Sequence, residues 1–308
     1  MRANNIRRNP FALAPMLVFF LLLAFGILSK LPLRALGEIG APLLTAFLTA
    51  VIFGLPTAFF FILRGNTLPR FGFRKTTGAG LSVSLIAGVL LCVLGVLVSG
   101  GLFGDRYDYK TVSLYGIALD GTGNSLAGNI LLVIAAVILP VLLEGIFFRG
   151  IVAYEYRHGG FLLSAFFSAL LYAMTAMDIF RFPLYFLIGA LLSFVVFLTG
   201  NLLYSMLSHA IYAVFALFAE KYFVFIAKEQ EARTLFFFVF VGLLFFMLFL
   251  LFRAAENMLR LRGEEEDPMP IKAAKGKQPL IVYDIFSAPM LWADIFCFAL
   301  FALLSILL

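Results

Sequence analysis

The chain has 308 residues, of which 63% are hydrophobic, 16% aromatic and only 13% charged, whereas soluble domains carry about 25% charged residues. With a mean hydropathy of +1.05, that composition excludes a soluble globular fold and indicates an all-α, polytopic transmembrane helix bundle. The 23 Lys+Arg against 17 Asp+Glu report orientation in such a protein rather than an acidic partner. The lipid bilayer is the expected surrounding, and nucleic acid is not an expected ligand.

Taken in chain order, apolar runs and their polar breaks predict nine spans: Phe11 to Leu28, Ala41 to Leu63, Gly80 to Leu102, Ile130 to Ile151, Phe161 to Ala176, Pro183 to Thr199, Leu202 to Phe218, Leu235 to Leu251 and Met290 to Leu308. The first follows Arg7-Arg8-Asn9-Pro10 in the order of a signal peptide, but it is longer than a usual h-region and lacks a small-x-small cleavage site, so it reads as an uncleaved helix. With the N-terminus inside, fourteen basic residues fall on the inner side (Arg2, Arg7, Arg8, Arg64, Arg70, Arg74, Lys75, Arg157, Arg253, Arg260, Arg262, Lys272, Lys275 and Lys277) and eight on the outer (Lys30, Arg34, Arg106, Lys110, Arg181, Lys221, Lys228 and Arg233). That bias favours N-inside and C-outside.

Between the third and fourth spans, Phe103 to Asn129 is polar and Gly-rich, and is expected on the outer surface without a core of its own. The run from Arg253 to Ala288 continues the eighth helix to Arg262, crosses Glu264-Glu265-Glu266-Asp267 and stops being helical at Pro268 and Pro270. Its Lys272, Lys275 and Lys277 fit either a contact for anionic lipid or a solvated connector. The expected organisation is three N-terminal spans with the outer loop over 1–129, a core over 130–218, and two C-terminal spans over 219–308 with the linker at 253–288. Leu235-Phe236-Phe237-Phe238-Val239-Phe240 is expected to face lipid. Cys92 and Cys297 lie apart in apolar runs and read as buried small hydrophobes.

Charges inside a span cost on the order of 2.5 to 3.5 kcal/mol each on insertion scales, so each one present requires a reason. Asp294, near the start of the last span, is favoured by a helix N-terminus, and His158 sits in a short loop beside Gly159-Gly160. Glu144 lies deep in the fourth span between Leu143 and Ile146, where it must face protein or water. Arg149, five residues on, can snorkel to the headgroups. His209 shares a helix face with Ser205 and Tyr212. Glu144 and His209 on two different spans are the smallest set that can activate a water and stabilise an oxyanion, and with Arg149 they are expected to converge on one polar cavity opening toward the cytoplasmic half of the bundle.

These residues resemble the CPBP family of intramembrane peptidases (CAAX-processing and bacteriocin-processing, or Abi). The family pattern is Glu-Glu-x-x-x-Arg on one helix, Phe-x-x-x-His on the next and His-x-x-x-Asn or Asp on a later one. Leu143-Glu144-Gly145-Ile146-Phe147-Phe148-Arg149 is similar to the first motif with Gly145 for the second Glu. Tyr172-Ala173-Met174-Thr175-Ala176 is similar to the second with Ala176 for the His, and His209-Ala210-Ile211-Tyr212-Ala213 to the third with Ala213 for Asn or Asp. The resemblance implies a membrane endopeptidase of CAAX prenyl protease type in which Glu144, Arg149 and His209 are the surviving catalytic positions, Glu144 serving water activation and His209 the oxyanion hole. It implies a membrane-associated or lipidated peptide as partner and a bacterial cytoplasmic membrane as location. No cofactor is expected, because one Glu and one His fall short of the three protein ligands of a catalytic zinc site.

Three readings of function remain open on these residues. The first is a peptidase, its activity weak or lost with Ala176 and Ala213 in place of polar groups. The second is an inactive relative that binds a peptide or partner in the same cavity, in bacteriocin immunity or a membrane complex. The third is a transporter subunit in which Glu144 and Arg149 line a pathway.

Overall fold

The computed structural model describes residues 11–64, 76–102, 111–121, 125–262 and 278–307. Eleven helices build an all-α bundle: α1 (Leu13–Leu28), α2 (Gly37–Arg64), α3 (Gly78–Val96, extended by wide turns over Leu97–Leu102), α4 (Leu126–Gly159), α5 (Phe161–Met174), α6 (Phe182–Thr199), α7 (Leu202–Phe218), α8 (Glu220–Lys228), α9 (Gln230–Arg262), α10 (Gln278–Phe286) and α11 (Pro289–Leu307). A two-stranded hairpin, β1 (Thr111–Leu114) and β2 (Ile117–Asp120), precedes α4. Arg2, Arg7, Arg8, the acidic run Glu264 to Asp267, and Lys272, Lys275 and Lys277 lie outside the described residues.

All nine apolar runs are helical, but they do not all have the length of a span. Six helical stretches are long and apolar enough to cross a membrane, and α7 with α8, bent by 57°, makes a seventh if the pair is one crossing. At 16 and 14 residues, α1 and α5 are shorter than the roughly 20 residues a hydrocarbon core requires. By length and composition, six to seven of the nine expected spans are thus accounted for among the described residues, and α1 and α5 are the two that fall short. The breaks that shorten α5 are local: Gly160 enters it at a φ of 85°, and Met177 turns left-handed at 54° just beyond it.

Helix association inside a bilayer gains little from the hydrophobic effect and depends on close packing and interhelical hydrogen bonds. The α3–α7 contact uses both. A Cβ at Gly80 would lie 2.5 Å from the Tyr204 ring, one at Gly88 2.8 Å from Ile211 Cδ1, and one at Gly95 2.9 Å from the Tyr212 ring. Between these glycines, Ser84 Oγ donates to the Tyr204 carbonyl at 2.7 Å and Ser208 Oγ donates to the Ser84 carbonyl at 2.9 Å. Small residues on α3 thus set the depth and rotation of α7, the helix that carries His209.

Two stretches of α4, Ile134–Ile138 and Gly145–Val152, wind with i→i+5 bonds. Such widening disturbs the regular ladder of carbonyls, and α5 supplies donors in the affected region. Ser168 Oγ donates to the Phe148 carbonyl at 2.8 Å and Ser164 Oγ to the Ala153 carbonyl at 2.7 Å. At the end of the bundle where α4 finishes, Glu155 Oε2 accepts the Ala14 N–H at 2.5 Å, satisfying a donor at the start of α1. Phe237 and Phe238 on α9 are exposed, as expected of a face turned to lipid.

Phe103 to Asn129 is expected on the outer surface without a core of its own, and its described hairpin packs against the core of the bundle. Leu114, Ile117 and Leu119 are buried, following the period-two alternation of a strand with one covered face. Tyr115 and Gly116 form a two-residue loop with φ of 53° and 77°, the doubly positive geometry of a type I′ turn. Arg34 binds Asp120 through Nε at 2.8 Å, and Arg181 Nη1 donates to the Ser113 carbonyl at 3.2 Å. These bonds tie the hairpin to the turn before α2 and to the loop after α5.

The α3–α7 contact gives a direct test. Gly88→Val should destabilise the detergent-purified protein by about 1–3 kcal/mol through overpacking, read as a lower thermal midpoint, and adding Ile211→Ala should restore part of the loss. A midpoint unchanged by Gly88→Val would mean that α3 and α7 do not approach this closely.

Candidate functional site

Glu144 is 2% exposed on α4, at the junction where the helix widens. Its Oε1 accepts the Tyr115 hydroxyl at 2.5 Å. Its Oε2 faces His209 Nε2 at 3.8 Å, beyond hydrogen-bond reach, and has no hydrogen-bond partner among the described residues. The same holds for Nδ1 of His209. Two sequence-predicted residues from different helices therefore meet side chain to side chain.

Arg149 is brought to the same region but not into the same space. It is 3% exposed, and its guanidinium carbon stands 4.2 Å above the centroid of the Tyr172 ring, a cation–π arrangement that gains strength where water is excluded. None of its three nitrogens has a hydrogen-bond partner among the described residues. The i→i+5 winding of Gly145–Val152 turns Arg149 toward the face of Glu144, which a regular α-helix at this spacing would not. Tyr172 links the set: its ring also stands edge-on to the His209 ring, 6.4 Å away.

Glu144, Tyr172 and His209 line a cavity of about 580 Å³, whose further walls include the hairpin residues Thr111 to Leu114 and Gly116 together with Asp178, Arg181, Tyr185, Tyr212, Ala213 and Glu220. Arg149 is not part of this lining. The cavity lies at the hairpin end of the bundle, the end that the expected topology places outside, whereas the sequence led to an opening toward the other end. The reason lies in α4, where Ala136 and Pro140, two turns and one turn before Glu144, also line the cavity. The space thus runs from Glu144 back toward the start of the helix.

Where the resembling motifs lack a residue, the geometry is specific. A Cβ at Gly145 would meet Met206 Cε at 2.8 Å and Cγ at 3.0 Å, so α7 fills the place of the second Glu. Ala176 is buried in the turn after α5, since the helix ends at Met174 and not at Ala176. Ala213 lines the cavity one turn beyond His209. Asp294 is fully buried with neither oxygen partnered among the described residues, and it stands near Tyr156 at the far end of α4. His158 is exposed. Glu144 and His209 supply two donors where a catalytic zinc needs three from the protein, and no group of three His, Cys, Asp or Glu able to hold a metal occurs among the described residues.

Sequence reasoning missed Tyr115, Glu220 and Tyr185 of the cavity wall. Tyr115 was within reach of it: two short alternating runs, Thr-Val-Ser-Leu and Ile-Ala-Leu-Asp, flank Tyr-Gly, and a two-residue break containing Gly is a hairpin signal. Glu220 at the bend after α7 carried no comparable signal.

No curated protein and no solved structure matches the chain. Residues 126–215 match the family model described as type II CAAX prenyl endopeptidase Rce1-like. That range runs from the start of α4 through most of α7 and contains Glu144, Arg149 and His209. Residues 126–215 of this membrane protein are thus similar to the Rce1-like family model, in agreement with the CPBP resemblance of the motifs they contain.

Proposed function

We propose that this CAAX-protease-like membrane protein receives a membrane-associated or lipidated peptide in the cavity, with hydrolytic activity weak or lost. The observation that carries the reading is the facing of Glu144 Oε2 and His209 Nε2 at 3.8 Å in the wall of a space of about 580 Å³, a size in the range of ligand pockets. A water between them is within reach of both, donating to Glu144 Oε2 and accepting from His209 Nε2–H, and a peptide carbonyl oxygen in the same space accepts from His209. In that position Glu144 takes a proton from the attacking water while His209 steadies the oxyanion. Arg149 acts from behind, through the Tyr172 ring.

Weakness follows from what the cavity lacks. Acid–base assistance contributes about 10²- to 10⁴-fold and one oxyanion donor about 10²- to 10³-fold, and the positions for a second imidazole and a second donor hold Ala176 and Ala213. The runner-up, an inactive relative that binds a peptide or partner protein, is favoured by the same alanines. Gly145→Glu with Ala176→His and Ala213→Asn should cleave a prenylated test peptide at least tenfold faster than the natural chain, and adding Glu144→Ala should abolish the gain. Glutamate at 145 displaces the flexible end of Met206, so thermal unfolding is checked first. A folded triple variant without any gain would favour the binding protein, and efficient cleavage by the natural chain would contradict the proposed weakness.

The proposed setting is a bacterial cytoplasmic membrane with the N-terminus inside, on the fourteen-to-eight basic bias. In a background lacking Cys92 and Cys297, Ser113→Cys should react with a membrane-impermeant thiol reagent added from outside. Labelling only after the inner face is opened would reverse the orientation and turn the cavity mouth to the cytoplasm.

A further inference from the structure

The hairpin supplies the chemistry of the site with a residue that lies outside the Rce1-like segment. Tyr115 is 1% exposed and sits at the hairpin tip with φ 53°. Its ring stacks on Phe25 of α1 at 4.1 Å and lies 5.7 Å from Phe53 of α2. Only its hydroxyl reaches past this aromatic packing, and it ends 2.5 Å from Glu144 Oε1. Tyr115 is not among the residues lining the cavity, although its neighbours Leu114 and Gly116 are. The carboxylate is therefore held from behind by one oxygen and presents the other to His209 and the open space.

A left-handed conformation is uncommon for a residue with a Cβ, and here it is the turn that aims the ring inward between α1 and α2. Burial, and after it the nearby Glu144 carboxylate, push the Tyr115 hydroxyl well above the usual tyrosine range, so it remains a proton donor throughout the physiological range. A hydrogen bond from a neutral donor favours the charged form of a carboxylate. It also removes one of the two orientations the carboxylate could otherwise take.

We propose that Tyr115 is a positioning residue for Glu144, a clamp delivered by the hairpin that fixes one carboxylate oxygen and aims the other at His209. The proposal deepens the reading of the cavity as a peptide site and rests on it for its significance, but the clamp itself is measurable without any peptide. A simple aromatic filler would be served as well by phenylalanine. A clamp needs the hydroxyl.

The experiment uses the full chain in lipid nanodiscs and dicyclohexylcarbodiimide, which modifies protonated carboxyl groups in apolar surroundings. Adduct at Glu144 is quantified by mass spectrometry at neutral pH, with Glu144→Gln as the blank. Tyr115→Phe keeps the stack on Phe25 and Phe53, and should raise the rate of Glu144 modification at least threefold in a protein that still unfolds cooperatively, with a thermal midpoint lowered only as far as one lost buried hydrogen bond lowers it. Should that variant fold poorly, 3-fluorotyrosine at position 115 serves instead: it keeps the ring, donates more strongly, and should lower the rate. An unchanged rate in a folded Tyr115→Phe protein, or in the fluorotyrosine protein, overturns the clamp. Protection of Glu144 by a farnesylated peptide is measured in parallel. A changed rate without protection upholds the clamp while removing the peptide reading, and protection with an unchanged rate does the reverse.

Discussion

A carboxylate buried in a membrane bundle costs several kcal/mol if it is left uncompensated, and the surroundings that hold Glu144 come from two parts of the chain. One oxygen is taken by Tyr115 from the hairpin, and the other is directed to His209 of α7. Three separate pieces of packing must be right for this to hold. The α3 glycines and the Ser84–Ser208 contact seat α7, the hydroxyls of α5 bind that helix to the widened part of α4, and aromatic stacking on α1 and α2 holds the tip of the hairpin.

The same dependence explains how a motif set with three missing members can retain a defined cavity. Loss of a second glutamate at Gly145 lets Met206 approach α4, so the vacancy is filled by packing. Arg149 then lacks the carboxylate that the resembling family places one turn before it, and its charge rests instead on the face of Tyr172. Ala213 differs from Gly145 in lining the cavity itself, where its methyl group adds apolar surface to the wall. One substitution is structural in effect and the other is chemical.

Much of this was legible in the residues. Runs of apolar letters located the helices, since nothing else gives such runs in a chain with so few charges, and the cost of a buried charge singled out Glu144 and, with it, its approach to His209. The number of crossings was less legible: α1 and α5 are apolar enough to span but too short, and composition does not measure where a helix stops. Arg149 was read as able to snorkel, whereas the i→i+5 winding after Glu144 turns it inward, a change of helical pitch that no residue type announces. The hairpin was passed over because its strands have four residues each and sit in a polar, Gly-rich stretch, so the alternation is brief. Spacing along α4 locates Glu144 in depth and says nothing of the end to which the space opens, which the lining by hairpin residues gives.

A prenylated peptide carrying a photoreactive group, irradiated with the natural chain in nanodiscs and mapped by mass spectrometry, tests the shared Glu144–His209 cavity most directly. Adducts should fall on residues 136–144 of α4, on residues 209–217 of α7 and on the hairpin, and excess unlabelled peptide should compete them away. Adducts confined to the exposed face of α9, or unaffected by competitor, would show that the peptide meets only the outside of the bundle, and would contradict a binding site built on Glu144 and His209.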